Sequence, residues 1–160
     1  MGARLSEADP LLAGFFTLRD AARLLNIDSV PRLRGWLTGW AGSSAGPVID
    51  RDFEGRVVSF LDLMEIRFVD HFRQKVTMPT IRRAAEQLRK EWQTKHPLAF
   101  ANSNQYLTDR RRIFAQAAEH EGDVRTWDLA TNQYEIWAAI ESVVARNVGF
   151  DPETEIARTW

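Results

Sequence analysis

The chain has 160 residues, 44% of them apolar and 27% charged, with no cysteine and a net charge of −1. That length supports one sizeable core or two small ones, and the missing cysteine excludes disulfides, thiolate metal sites and cysteine nucleophiles. No apolar run approaches the ~20 residues needed to cross a bilayer, so a cytoplasmic protein without a membrane partner is expected. The opening "MGARLSEADPLLAGFF" lacks the long apolar stretch of a secretory signal, and Gly2 with Ser6 makes only a two-residue match to a myristoylation pattern. Charge is unevenly placed: the first hundred residues carry +3 and the last sixty −4. A mildly basic front and an acidic rear suit contact with phosphate at one end and with protein at the other.

Residues 1–15 read as an N-terminal arm. From Phe16 the pattern is helical, with Leu18, Ala21, Ala22 and Leu25 at three- and four-residue steps. Thr17 is the N-cap, Asp20 answers it from three residues on, and Phe16 can staple onto Ala21. "NID" breaks this helix, and Ser29 caps a second one with Pro31 in its first turn. "GWAGSSAGP" is a connection. "VIDRDFEGRVVSF" reads as a hairpin with its turn at Phe53–Arg56. Ser59 opens the helix "FLDLMEIRFVDHFRQ", and after "TMP" another carries Ile81, Ala84, Ala85, Leu88 and Trp92 on one face. Beyond "KHP", "RRIFAQA", "VRTWDL" and "EIARTW" read as strands and "NQYEIWAAIESVVARNV" as a helix. The expected fold is α+β and mainly helical, with a reader domain over 16–97 and a small mixed strand and helix region over 98–160 for dimerisation or partner binding.

A DNA-reading helix-turn-helix needs a tight turn, small residues at the helix crossing, and polar or basic side chains at the start of its second helix. Ala21 and Ala22 permit close approach, while Ile27, Leu33 and Leu37 fill the space between the helices. Ser29, Arg32 and Arg34 fall on or near the outer face, where arginine can grip guanine or phosphate with two N–H groups. The hairpin would be a wing with Arg51 and Arg56 at its tip, diluted by Asp52 and Glu54. Gly35 is out of place in a helix, at a cost of ~1 kcal/mol relative to alanine.

The segment "FTLRDAARLLNIDSVPRLRGWL" resembles the first two helices of MerR-type regulators, and "VVSFLDLMEIRFVDHFRQKVTMPTIRRAAEQLRKEW" is similar to the helices that follow the wing there. The rear, "HPLAF…LTDRRRIF…WDLATNQ…FDPETEIARTW", resembles the N-terminal module of VapB-like antitoxins. The resemblance implies a winged helix-turn-helix that binds its own operator as a homodimer, with Thr17, Ser29, Arg32, Arg34, Arg51, Arg56 and Arg82 toward DNA. It also implies a PIN-like ribonuclease toxin as partner. Relatives usually continue past the position of Trp160, so the chain is expected to be either a short form or cut there, and in both cases to lack the toxin-grasping part.

Other signals point to structure rather than chemistry. His71, His96 and His120 have no partners at metal-ligand spacing, so neither a metal nor another cofactor is expected. Glu65 and Asp70 read as members of solvated ion pairs with Arg67 and Arg73. "DRRR" reads as a charged, exposed strand edge. Trp36 and Trp40 suit the anchoring of the second helix, and the tryptophans of the rear suit either core or interface. No nucleophile–base pair suggests an enzyme. The reading is a sequence-specific DNA-binding regulator, with a protein-interaction module of winged-helix shape as the alternative.

Overall fold

The computed structural model describes residues 15–40 and 42–160; the expected N-terminal arm up to residue 14, and the Gly2–Ser6 match with it, lie outside the described residues. The described chain is mainly helical, with two small antiparallel strand pairs. Strand β1 (Phe16–Thr17) runs directly into helix α1 (Leu18–Leu24). Thr17 accepts from the Asp20 N–H and donates its own N–H to the Asp20 carboxylate, so one reciprocal pair satisfies two otherwise unbonded donors at the helix start. Asn26, at φ 56°, takes the left-handed turn that ends α1. Ser29 then caps α2 (Val30–Thr38), accepting from the Arg32 N–H at 3.2 Å. Ala21, Ala22, Ile27, Leu33 and Leu37 are all buried where the two helices cross.

The expected hairpin does not form. Strand β2 (Val57–Val58) pairs with β1, in the register Phe16 to Val58 and Thr17 to Val57. Val48 and Ile49, the presumed first strand, are instead buried against α2, where both N–H groups donate to the Trp36 carbonyl. Arg51 holds the intervening loop from inside, donating to the carbonyls of Gly55 and Val57 at 2.7 and 2.9 Å. Gly35 has a packing reason. The chain turns back at Gly39, φ 84°, and lays the Trp40 indole on the bare Gly35 backbone, where a Cβ would collide with the ring. Trp40 therefore folds back on α2 from beyond its end and stays half exposed, while Trp36 is buried.

Helix α3 (Phe60–Phe72) opens on a second reciprocal cap, Ser59 with Asp62, and α4 (Met78–Trp92) follows. A 3-10 turn, η1 (Pro97–Ala99), leads into α5 (Asn104–Glu121), then α6 (Val124–Asn132) and α7 (Tyr134–Val144). The expected strands "RRIFAQA" and "VRTWDL" are thus parts of α5 and α6. Leu107, Arg110, Ile113, Phe114, Ala117 and Ala118 recur at helical spacing along the buried face of α5. Gly122, at φ 70°, closes α5, and Asp123 caps α6. The final strand does form: β3 (Gly149–Phe150) pairs with β4 (Ala157–Thr159).

One buried apolar cluster runs from Phe16 to Ala157, across the position of the expected boundary at 97/98. Its rear is aromatic, with Phe72 against Phe68 at 4.3 Å and against Trp137 at 4.7 Å between ring centroids. Offset and tilted ring contacts of this kind add about 0.5–1.5 kcal/mol each beyond burial. Arg110, read as part of an exposed edge, is 1% exposed and grips Glu141 through two nitrogens at 2.6 and 3.0 Å. It also donates to the carbonyls of Pro97 and Ala101. Arg67, read as a solvated ion pair, instead donates to the carbonyls of Val143 and Val144 at the end of α7. Among the described residues no helix is long and apolar enough to cross a membrane.

Candidate functional site

Thr17, Leu18, Arg19, Val30, Arg34 and Arg56 line an open cleft where α1, α2 and the β2 approach meet. The strand pairing brings them together. The Leu18 N–H donates to the Arg56 carbonyl at 3.0 Å, which seats residue 56 beside the start of α1. Val30 and Arg34 are one helical turn apart on α2, so they face the same side. Arg19, Arg34 and Arg56 are all exposed, and none of their guanidinium groups has a hydrogen bond or ion pair among the described residues. Three unpaired guanidinium groups around one concavity create a local positive potential despite a net charge near zero.

The other expected site residues separate. Thr17 lines the cleft, though its hydroxyl oxygen is engaged as the α1 cap. Ser29 is half-buried and serves as the α2 cap. Arg32 lies outside the cleft lining, with the Asp28 carboxylate 3.5 Å away. Arg51 is turned inward onto backbone carbonyls, and the Arg82 Nε donates to the Gly46 carbonyl at 2.8 Å. Sequence reasoning missed Arg19; its signal was an exposed position one residue into a capped helix.

A second constellation lies beneath the loop 50–56. His96, 4% exposed, stands between Glu65, 3.0 Å from its Nδ1, and Asp52, 2.9 Å from its Nε2. Glu65 also accepts from the Leu98 N–H at 3.0 Å, so it is an internal acceptor and not a solvated ion pair. Asp62 Oδ2 accepts from the Asp52 and Ser59 N–H groups, each at 3.1 Å. Burial opposes a charge on His96, but the bonds and charges of Glu65 and Asp52 outweigh it and push its pKa up to about 9. Burial raises the pKa of both Asp62 and Glu65. The sequence reading gave His96 no partners; the fold gives it three carboxylates. The signal was Asp62 and Glu65, one turn apart on the apolar face of α3. His71, expected at the surface, is half-buried, and desolvation lowers its pKa.

Comparison of the chain with protein-family models, with curated proteins and with solved structures returns no match.

Proposed function

We propose that the chain is a DNA-binding regulator that sets the α1–α2 unit against duplex DNA. The observation that carries this reading is the cleft bounded by Arg19, Arg34 and Arg56, whose exposed guanidinium groups have no partner among the described residues. Buried or paired arginines stabilise a fold; exposed, unpaired arginines around one concavity offer bidentate donors to phosphate or to guanine edges. Two short helices joined by a tight turn, with the second capped by Ser29, supply a frame that can seat in a major groove. In this reading Arg34 reaches base edges and Arg19 and Arg56 hold the flanking backbone. The MerR-like sequence of the same segment supports a helix-turn-helix regulator without the expected hairpin wing, and the VapB-like rear supports an autoregulatory antitoxin acting as a dimer.

The test is fluorescence anisotropy with genomic duplexes selected from a random pool, over a salt series. Affinity should fall steeply as salt rises, each phosphate contact adding to the slope. Absence of binding to any duplex at low salt would overturn the reading. The interaction-module alternative is favoured by one feature, the exposed apolar side chains Val124, Trp127, Tyr134 and Ile136 of α6 and α7. Failure to bind DNA together with self-association lost in Trp127→Glu would select it.

A further inference from the structure

Around His96 the chain gathers three carboxyl groups on one imidazole. Asp62 and Glu65 are fully buried, and Asp52 closes the outer side with its side chain 26% exposed. Lys95, 3.4 Å from Asp52, is half exposed at the rim. Asp62 is also incompletely bonded. Its Oδ2 has two donors, but its Oδ1 is buried without a hydrogen-bond partner and lies 3.8 Å from His96 Nδ1. A buried carboxylate oxygen without a partner carries a desolvation cost that a cation would remove.

One donor atom each from Asp52, Asp62 and His96 lie within 4.8 Å of one another. We propose that these three side chains form a binding site for a divalent transition-metal ion, with Glu65 orienting the imidazole. His96 Nε2 faces Asp52, while Nδ1 stays with Glu65, which Leu98 holds in turn. A carboxylate on the far nitrogen of a metal-bound histidine is the usual way such a ring is aimed. The mixed nitrogen and oxygen donor set favours zinc or a neighbouring transition metal over magnesium or calcium, which prefer oxygen alone. Donors at about 2.1 Å from a tetrahedral ion sit roughly 3.4 Å apart, so the trio draws together on loading. The ligands come from the loop 50–56, the start of α3 and the segment before η1, so the ion ties three separate stretches of chain.

The full chain, stripped with EDTA and dialysed, is titrated with zinc, manganese and magnesium chlorides by calorimetry and thermal melting. One zinc ion per chain should bind at micromolar concentration or tighter and raise Tm by several degrees; manganese should bind more weakly and magnesium not at all. Asp62→Asn and His96→Gln should each weaken zinc binding at least 100-fold, and Glu65→Gln about 10-fold. No stoichiometric zinc uptake, or uptake unchanged in folded Asp62→Asn, overturns the site. Should the variants fail to fold, zinc-edge X-ray absorption of the wild-type chain decides. One imidazole among oxygen donors supports the site, and two or more imidazoles overturn it.

Discussion

Arg110, Arg111 and Arg112 follow one another on α5, and Arg19, Arg32 and Arg34 lie on α1 and α2 at the front, yet the two sets are held differently. Arg110 is enclosed by Glu141 and two carbonyls, Arg111 donates to the Ala130 carbonyl and lies over the Tyr134 ring, and Arg112 reaches Glu91. Of the front set Arg32 has Asp28 beside it, at 3.5 Å, while Arg19 and Arg34 line an open cleft. Local composition does not separate the sets. What separates them is whether another element packs over the helix face that carries them. α5 is covered by α4, α6 and α7, so its cations must be bonded; the outer face of α1 and α2 has no such cover among the described residues.

That difference can be broken most severely at Arg110. Replacing it with Met leaves Glu141 buried and uncompensated, which should lower stability by ~3–5 kcal/mol in urea unfolding. The double variant Arg110→Met/Glu141→Leu should recover much of that loss but not all, because the Pro97 and Ala101 carbonyls and the Trp137 N–H lose their partners as well. A single-variant loss under 1 kcal/mol would mean that the rear arginines are as dispensable to the fold as the front ones. The front should behave in the opposite way. Arg34→Ala should leave stability within about 0.5 kcal/mol of wild type and cost ~1–3 kcal/mol in DNA affinity. Arg19→Ala and Arg56→Ala should weaken binding to all sequences alike and each reduce the salt slope by about 1. A large stability loss in Arg34→Ala, with DNA affinity unchanged, would move this residue into the structural set.

The same contrast explains what the sequence made legible. α1 through α4 were readable because apolar residues recur at helical spacing and Thr17, Ser29 and Ser59 mark starts with side-chain caps. The segment "RRIFAQA" within α5 reads as a strand because Arg110 interrupts the apolar stripe between Leu107 and Ile113. A short window then sees only Ile113 and Phe114, which are at home in strands. A buried, paired arginine is indistinguishable from an exposed one until Glu141, on another helix, is placed. β2 was given Val48 and Ile49 as neighbours because hairpins are local; its partner β1 lies some forty residues back, a pairing no local turn signal announces. Arg34 and Arg56 are both exposed, as the sequence reading places them, but Arg56 sits beside β2 and not at the tip of a hairpin. The His96 cluster needed the whole fold, since Asp52 lies 10 residues before Asp62 and 44 before His96, and Glu65 lies 31 before His96.

Helix caps offer a smaller test of the same contrast. Ser29 serves α2 alone. Asp123 accepts from the Thr126 N–H and hydroxyl on α6 and also from the Thr77 and Thr80 hydroxyls at the start of α4, so one carboxylate joins two helix beginnings. Burial opposes its charge, but these donors outweigh burial and hold its pKa below the ordinary value of 3.8. Because the folded value is the lower one, ionised Asp123 contributes its full stability above about pH 4 and loses it as pH falls through the depressed value. Asp123→Ala should therefore cost ~1–2 kcal/mol at neutral pH, against ~0.5–1 kcal/mol for Ser29→Ala. In thermal melts between pH 7 and pH 2, the gap between wild type and Asp123→Ala should stay constant down to about pH 4 and then narrow, while the Ser29→Ala gap should not track acid. A gap that widens in acid would mean that Asp123 is a strained charge in the folded state, and the rear of the molecule would not be held by the bonds described above.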